Sequence, residues 1–478
     1  MPAIPPDQSR ILWSALCDAS AASTVMLRDA DVFDEPVAAA ILTSLGQVGG
    51  AAAPDLPLSR MVVEFEARLD ALISPEAAGA ATIARARTDL GAAAARIAVR
   101  QQAITLSAAI DALRLALLDL ADAHVFTLMP VFAEGQAIQP ASLAHWLGGA
   151  TGPLERAAAR LRAAVAEINR SPLGAGSLAS VAYPVDREAA ARLAGFDGPV
   201  ASSFDAVASV DWLIAALEPA TTAADATGRL LSELLALLRT EAGSLRLAEE
   251  WRADPDGGLP QFLPPRGLAA LAAMPEQVRA DAMAVSSLAA RIPYGPPGAA
   301  LDAPLARALA ALDGARVLTE GAGRLIGALE INRAYLAQRA GRDFTTASDL
   351  ADFLVIHEGI DPASARNIAQ MTVRKAMDQG LEISGVTPDM IDASALLVIG
   401  REIGIEFERL GAWLAPRRFL ERRTATGGAA PASVRDELER ARAALLAGER
   451  WREDVTARIA KAAAVLEHEV SAILATAG

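Results

Sequence analysis

Three residues at the start of the first long helical pattern are of types that binding chemistry uses. Arg85, Arg87 and Asp89 alternate through the segment ARARTD. A guanidinium placed there can close a bidentate fork on a carboxylate. The same cluster also reads as a salt-bridged, solvated turn. The histidines and the cysteine narrow the remaining chemistry. His124, His145, His357 and His468 are never within ten residues of one another, and Cys17 is the single cysteine. No local metal-ligand spacing and no intramolecular disulfide arise from such a set. Neither a metal nor a cofactor is expected.

A second stretch, Ser171–Glu188 (SPLGAGSLASVAYPVDRE), lies between two long helical patterns and has no helical period of its own. Gly174 and Gly176 permit tight backbone turns, and Pro172 and Pro184 punctuate its ends. It reads either as a helix–helix connection or as a functional loop pinned between core helices.

The elements that must position these groups are long helices. In Ile104–Leu128, apolar residues fall at Leu106, Ile110, Leu113, Leu117 and Leu120, spaced 4, 3, 4, 3. That spacing is a heptad-like seam for shallow-angle packing, with Pro130 as its stop. Leu154, Ala158, Leu161, Val165 and Ile168 repeat it. Asp205–Leu217, Ala224–Leu238 and Leu305–Arg339 continue the theme, which predicts an elongated bundle. Residues 1–86 read as shorter helices. Gly243–Pro304 is broken repeatedly by Gly and Pro, with one helix over Leu268–Ala290. Beyond Arg342 the helices are compact. Thr345–Asp349 supplies an N-cap region, and two helices, Val434–Leu446 and Asp454–Leu474, close the chain.

Composition bounds the function classes. The chain has 478 residues, enough for two or three domains, and is 53% hydrophobic but only 4% aromatic. Cores of Ala, Leu, Val and Ile favour close-packed helices over sheets. A net charge of −14 argues against a nucleic-acid partner. The longest uncharged runs, Pro36–Pro54 and Gly135–Leu154, contain Gly, Pro and Gln and read as core segments, so no membrane span is expected. MPAIPPDQSR shows no basic region ahead of an apolar run. A cytoplasmic protein is expected.

The loop SPLGAGSLASVAYPVDRE, followed by LAGFDGPVASSFDAVASVDW, resembles the same region of argininosuccinate lyase, in the fumarase/aspartase superfamily. The resemblance runs with gaps from about Leu27 to about Arg442. It implies an all-α, three-domain subunit: an N-terminal helical domain (1–86), a central long-helix bundle (87–343) and a C-terminal helical domain (344–478). It further implies a homotetramer with a twenty-helix core, whose pockets are assembled from three subunits.

Residue by residue, the match is uneven. ARARTD is similar to the family's R-S-R-N-D-Q, keeping Arg87 and Asp89, with Thr88 for Asn and Leu90 for Gln. This implies Arg87 and Thr88 as substrate contacts. MPVFAEGQAIQP is similar to M-P-G-Y-T-H-L-Q-R-A-Q-P, keeping Met129, Pro130, Gln136, Gln139 and Pro140. Ala133 replaces the Thr, and Glu134 replaces the active-site His. On this match Gln136 is a substrate contact and Glu134 the candidate catalytic group. Ser59-Arg60-Met61-Val62 stands at the family's E-D-V-H. Tyr294–Asp302 is similar to Y-N-R-D-x-Q-E-D-K, keeping Tyr294, with Ala299 for Gln and Asp302 for Lys. Ser202-Ser203-Phe204-Asp205 is similar to N-S-x-D, which adds Ser202 and Tyr294 to the substrate-binding set. The family's mobile loop, G-S-S-x-M-P-x-K-x-N-P, supplies the base serine and the anion-stabilising lysine. Here Asp254–Pro265 reads DPDGGLPQFLPP, with Asp254 and Asp256 near the base position, and Gly243–Ser286 contains neither Lys nor Asn.

Three readings follow. The chain is a non-catalytic homologue that binds a small carboxylate or amino-acid-like ligand, or a partner protein. Alternatively it is a diverged carbon–nitrogen lyase that uses Glu134, Arg87 and Tyr294 on another substrate, or argininosuccinate lyase itself. Elimination needs a base at the Cβ proton and positive charge where the carboxylate becomes an aci-anion. Both are altered, so the first reading is expected and argininosuccinate cleavage is not.

Overall fold

Alanine and leucine lose little on entering a helix, and runs of them give the chain its long segments, two of which carry an interior proline, Pro153 and Pro275. The computed structural model describes residues 6–253 and 259–477. Helices α1 (Pro6–Asp29), α2 (Glu35–Gly50) and α3 (Leu58–Leu72) lead into α4 (Arg87–Ala123). Strands β1 (Leu128–Ala133) and β2 (Gln136–Ser142) form a hairpin before α5 (Leu143–Ile168). Short helices α6 (Arg187–Leu193), α7 (Ser203–Ala208) and α8 (Asp211–Ala215) precede α9 (Leu217–Thr240) and the strand β3 (Leu245–Arg246). Then come α10 (Arg266–Ala289), α11 (Asp302–Gly327), β4 (Glu330–Ile331) and α12 (Arg333–Ala340). The chain closes with α13 (Ala347–Glu358), α14 (Pro362–Asp378), α15 (Pro388–Ile399), α16 (Phe407–Leu414), α17 (Pro416–Glu421) and α18 (Pro431–Ala477).

Helices α4, α5, α9, α10 and α11 pack along one another as the central bundle, with α1 and α18 laid against α4. The heptad-spaced leucines are the reason: Leu106, Ile110, Leu113 and Leu117 are all fully buried. One apolar cluster runs from Leu12 through this bundle to Ile473. A second, from Leu350 to Leu414, holds α13 to α16 together. Buried Asp349 ties the second cluster to the segment that leads back to the bundle. It accepts from Arg423 at 2.6 Å and from Arg422, whose guanidinium stacks on Trp413 at 3.9 Å. Strands are confined to two two-stranded pieces among the described residues, so the all-α expectation holds. No helix among them is long and apolar enough to cross a membrane.

Several expected boundaries move. The pattern of Ile104–Leu128 does not run to Pro130. The helix stops at Ala123, where His124 and Thr127 bond side chain to side chain at 3.0 Å. Residues 128–142 then form the hairpin, with Pro130 facing Pro140. Neither proline has an N–H to donate, so a ladder accommodates them where no bond crosses. Asp205–Leu217 is not one helix but α7 and α8, separated at Ser209 and Val210. Leu305–Arg339 breaks after Gly327, because Glu330–Ile331 pairs with Leu245–Arg246 and Asn332 caps the next helix. The two helices expected at Val434–Leu446 and Asp454–Leu474 are one, α18, of 47 residues. Gly448 does not break it. Its bare Cα lets the buried Asp111 carboxylate and Arg162 come close, and a Cβ there would stand 3.1 Å from the Arg162 guanidinium. Asp111 in turn receives Arg114 at 3.3 Å and Arg452 from α18.

Helix α10 reaches its neighbours through a bare backbone. A Cβ on Gly228 of α9 would lie 2.4 Å from Cγ of Pro275 on α10. Gly228→Ala is therefore expected to lower stability by about 2 kcal/mol through overpacking, and adding Pro275→Ala recovers part of it. Gly46→Ala has nothing within 4 Å of the added carbon. It is expected to raise stability by about 0.5–1 kcal/mol as an ordinary helix glycine. Urea midpoints of the four proteins check this.

Candidate functional site

The start of α4 is built around the backbone of one residue of the Ser171–Glu188 loop, Gly176. Asp89, buried in the first turn, accepts from the N–H of Ala86 at 3.0 Å, closing the helix start. Its other oxygen accepts from the N–H of Gly176 at 2.9 Å, and the neighbouring Thr88 hydroxyl donates to the Gly176 carbonyl at 3.0 Å. Gly174 and Gly176 sit at φ +73 and +63, where side chains are strained. A Cβ on Gly176 would stand 2.9 Å from the Ser180 carbonyl oxygen. Further along α4, Arg96 donates to the carbonyls of Glu167 and Ile168, each at 3.3 Å. Arg100 donates at 2.6 Å to Asn169 Oδ1 and to the Gly195 carbonyl. Burial pulls both guanidinium groups down to about 10. The chain leaving α5 is thus held by α4 before it enters the loop.

Above this grip lies a small cavity of about 180 Å³ between Val62 of α3, Arg87 and Thr88 of α4, and Pro297, Gly298 and Leu301. Its walls are mainly apolar. Arg87 is its cation. The side chain is 61% exposed and its Nε donates to Glu66, which is 11% exposed. Val62, at the family's His position, lies one helical turn before Glu66. Glu66 stands twenty-one residues before Arg87 in the chain, and no local motif pairs the two. Ser59 and Asp302 were also missed as a pair. Asp302 accepts from the Ser59 N–H at 2.9 Å and from its hydroxyl at 2.5 Å. These are the two positions where the family pattern has Glu and Lys.

The other predicted residues lie elsewhere. Ser202 caps α7 by accepting from the Asp205 N–H at 3.3 Å. Tyr294 donates to Asp205 at 3.3 Å and stacks against Phe204 with ring centroids 5.3 Å apart. Ser202 and Tyr294 are thus gathered around α7, whose Ala206 and Val207 pack under the loop residue Ala175. Glu134 and Gln136 are exposed at the hairpin tip. Glu134 and Gly135 both have positive φ, 50 and 79, as a two-residue I′ turn requires. The hairpin packs on α12, α17 and α5, and none of these lines the Arg87 cavity. A single chain does not bring Glu134 to Arg87. Asp254 and Asp256 lie outside the described residues. Beyond them Leu259, Phe262 and Leu263 are exposed. No group of metal-ligating side chains is found among the described residues.

The pattern of kept glycines, the clasped loop and the bundle agrees with what is found by comparison. The family described as lyase matches residues 57–252. The argininosuccinate lyase of Halobacterium salinarum is 31% identical over 422 residues, covering 86% of this chain and 83% of the relative. The chain belongs to the argininosuccinate lyase family of the fumarase/aspartase superfamily. The argininosuccinate lyase of Methanoculleus marisnigri is 29% identical over 437 residues, covering 90% of this chain and 87% of the relative. Among solved structures, an EDDS lyase variant with bound fumarate superposes with a TM-score of 0.90 at 26% identity, over all of this chain and 94% of the other. The class II fumarase of Schistosoma mansoni shares the fold, with a TM-score of 0.70 at 13% identity, over 87% and 90% of the two chains.

Burial pushes the Asp89 carboxyl up to about 6, against the opposing pull of the Ala86 and Gly176 N–H groups and of Arg85. A carboxyl raised in the folded state binds its proton more tightly there than when unfolded. Its contribution is full below the ordinary value near 3.8 and is lost as pH rises through about 6. Asp89→Asn is expected to flatten this part of the stability–pH curve. Asp89→Ala leaves the buried Gly176 N–H and the part-buried Ala86 N–H without this acceptor and is expected to cost about 3 kcal/mol at neutral pH. Urea unfolding between pH 4 and 7 measures both.

Proposed function

We propose that this chain is a small-carboxylate-binding member of the argininosuccinate lyase family that does not cleave argininosuccinate. One observation carries the reading: Arg87, the cation facing the cavity, already shares its charge with Glu66. The remaining wall is mainly apolar, with Leu58, Val62, Pro297 and Leu301 beside the hydroxyls of Ser59 and Thr88. Such a pocket suits a ligand with one carboxylate and an apolar remainder. It is poorly matched to a substrate carrying several carboxylates, since Glu66 would repel the second. The exposed hairpin tip, with Glu134 and Gln136, is available to a neighbouring copy. We take the working form to be a homotetramer in which Glu134 of one subunit approaches the Arg87 pocket of another. As a carboxylate it does not supply the positive charge that the aci-anion needs.

Purified protein at high concentration, incubated with argininosuccinate and followed by fumarate absorbance, is expected to show no turnover. A rate above about one per second lies in the ordinary enzyme range and would refute the reading. Short monocarboxylates such as propionate and butyrate, sized for the smaller cavity, are expected to raise the melting temperature of the wild type at millimolar concentration and to leave Arg87→Ala unchanged. Light scattering is expected to give the mass of four chains.

A second reading, a diverged carbon–nitrogen lyase on another substrate, is favoured by the full-length likeness to EDDS lyase. Fumarate release from an N-substituted aspartate, lost in both Glu134→Gln and Arg87→Ala, would select it over the binding role.

A further inference from the structure

The strongest unassigned feature lies where α9 ends and α10 begins. A cavity of about 530 Å³ opens between the last turn of α9, the strand β3 and the first turn of α10. Leucines and prolines, Leu235 and Leu263 among them, make its apolar wall. Four guanidinium groups, Arg239, Arg246, Arg252 and Arg266, complete it, and no acidic residue is found in its lining among the described residues. Arg246 reaches Glu330 only at 3.9 Å, with both side chains largely exposed. Arg252 is half-buried, and its Nε has no hydrogen-bond partner among the described residues.

The helix geometry adds to the same potential. Helix α10 starts at Arg266 with no acidic residue in its first turn, and Pro265 before it offers no capping side chain. The free N–H groups of that turn carry partial positive charge. Gathering four cations against hydrocarbon costs repulsion and desolvation, and none of the lining side chains relieves it. The cavity also sits at a defined place in the fold. The Ala253 N–H donates to the Pro264 carbonyl at 2.9 Å, closing the neck of the segment that corresponds to the family's mobile loop. Gly243–Ser286 contains neither Lys nor Asn, and the cations of the cavity are all arginines.

We propose that this cavity binds an amphipathic carboxylate. A medium-chain aliphatic acid would lay its hydrocarbon along Leu235 and Leu263 and fork its carboxylate on Arg252 and Arg266. The volume falls in the range of small-molecule sites. The site shares no lining residue with the Arg87 pocket, so it stands independently of the function proposed above.

The test is calorimetric titration of the full chain with octanoate, and with octanol and inorganic phosphate as the two halves of its chemistry. Saturable binding of octanoate is expected, with neither octanol nor phosphate binding at the same concentration. Arg252→Ala and Arg266→Ala are each expected to weaken octanoate by about tenfold or more, the worth of a charge-assisted bond, and Arg87→Ala to leave it unchanged. Arg266 is an exposed residue at a helix start, so Arg266→Gln keeps the test open if Arg252→Ala does not fold. Octanol binding as tightly as octanoate would reduce the site to a greasy surface. Phosphate binding as tightly would reduce it to a cationic patch. Octanoate affinity that survives both arginine substitutions, or that is lost in Arg87→Ala, would overturn the assignment.

Discussion

The backbone of Gly176 is the joint on which this subunit turns. Its N–H goes to Asp89 and its carbonyl to Thr88, so both backbone polar groups of one loop residue are satisfied by consecutive side chains of one helix. The same Asp89 closes the first turn of α4. Helix start and loop are therefore a single construction, and neither can be placed without the other. A buried backbone group without a partner costs as much as a lost hydrogen bond, which explains why an irregular stretch of this length holds one shape between helices. Arg87 projects from this joint, so the direction of the pocket's cation is fixed by a loop that contributes no charge to it.

Thr88 illustrates how a binding position can be withdrawn without disturbing the frame. The family pattern has Asn there, whose amide offers donors and an acceptor together. A threonine hydroxyl has one proton to give, and here it is given to Gly176. Glu66 acts on Arg87 in a similar sense, by occupying it from within the chain. The scaffold has kept its own internal bonds and turned groups that could face a ligand toward itself.

Much of the fold was legible because its signal is periodic. The leucines of α4 and α5 repeat at heptad spacing, and burial of those residues follows from that alone. The breaks were harder. Pro130 reads as a helix stop, but its pairing with Pro140 depends on a turn whose Glu134 must adopt positive φ. Gly448 stands between the two helices expected at Val434–Leu446 and Asp454–Leu474, yet it is the clearance that lets α18 pass over Asp111. In the site, Arg87, Thr88 and Asp89 were legible from their motif, and the loop glycines from their spacing. Glu66 was not, because it lies twenty-one residues from Arg87 and no local pattern joins them. Glu134 and Gln136 were legible only as positions in a motif, and their place at an exposed tip is a property of the hairpin.

The contact between Ser59 and Asp302 bears on where such a protein can go next. Both residues depart from the family pattern, and they depart together, a serine and an aspartate standing where a glutamate and a lysine would. Restoring the lysine alone would set an ammonium against a hydroxyl and strip the Ser59 backbone of its acceptor. Restoring the glutamate alone would press two carboxylates together at a buried contact. Each single step back is worse than staying. The two positions are therefore coupled: neither side chain can be exchanged for the family's residue without leaving the other mispaired, so a change at one end calls for a change at the other.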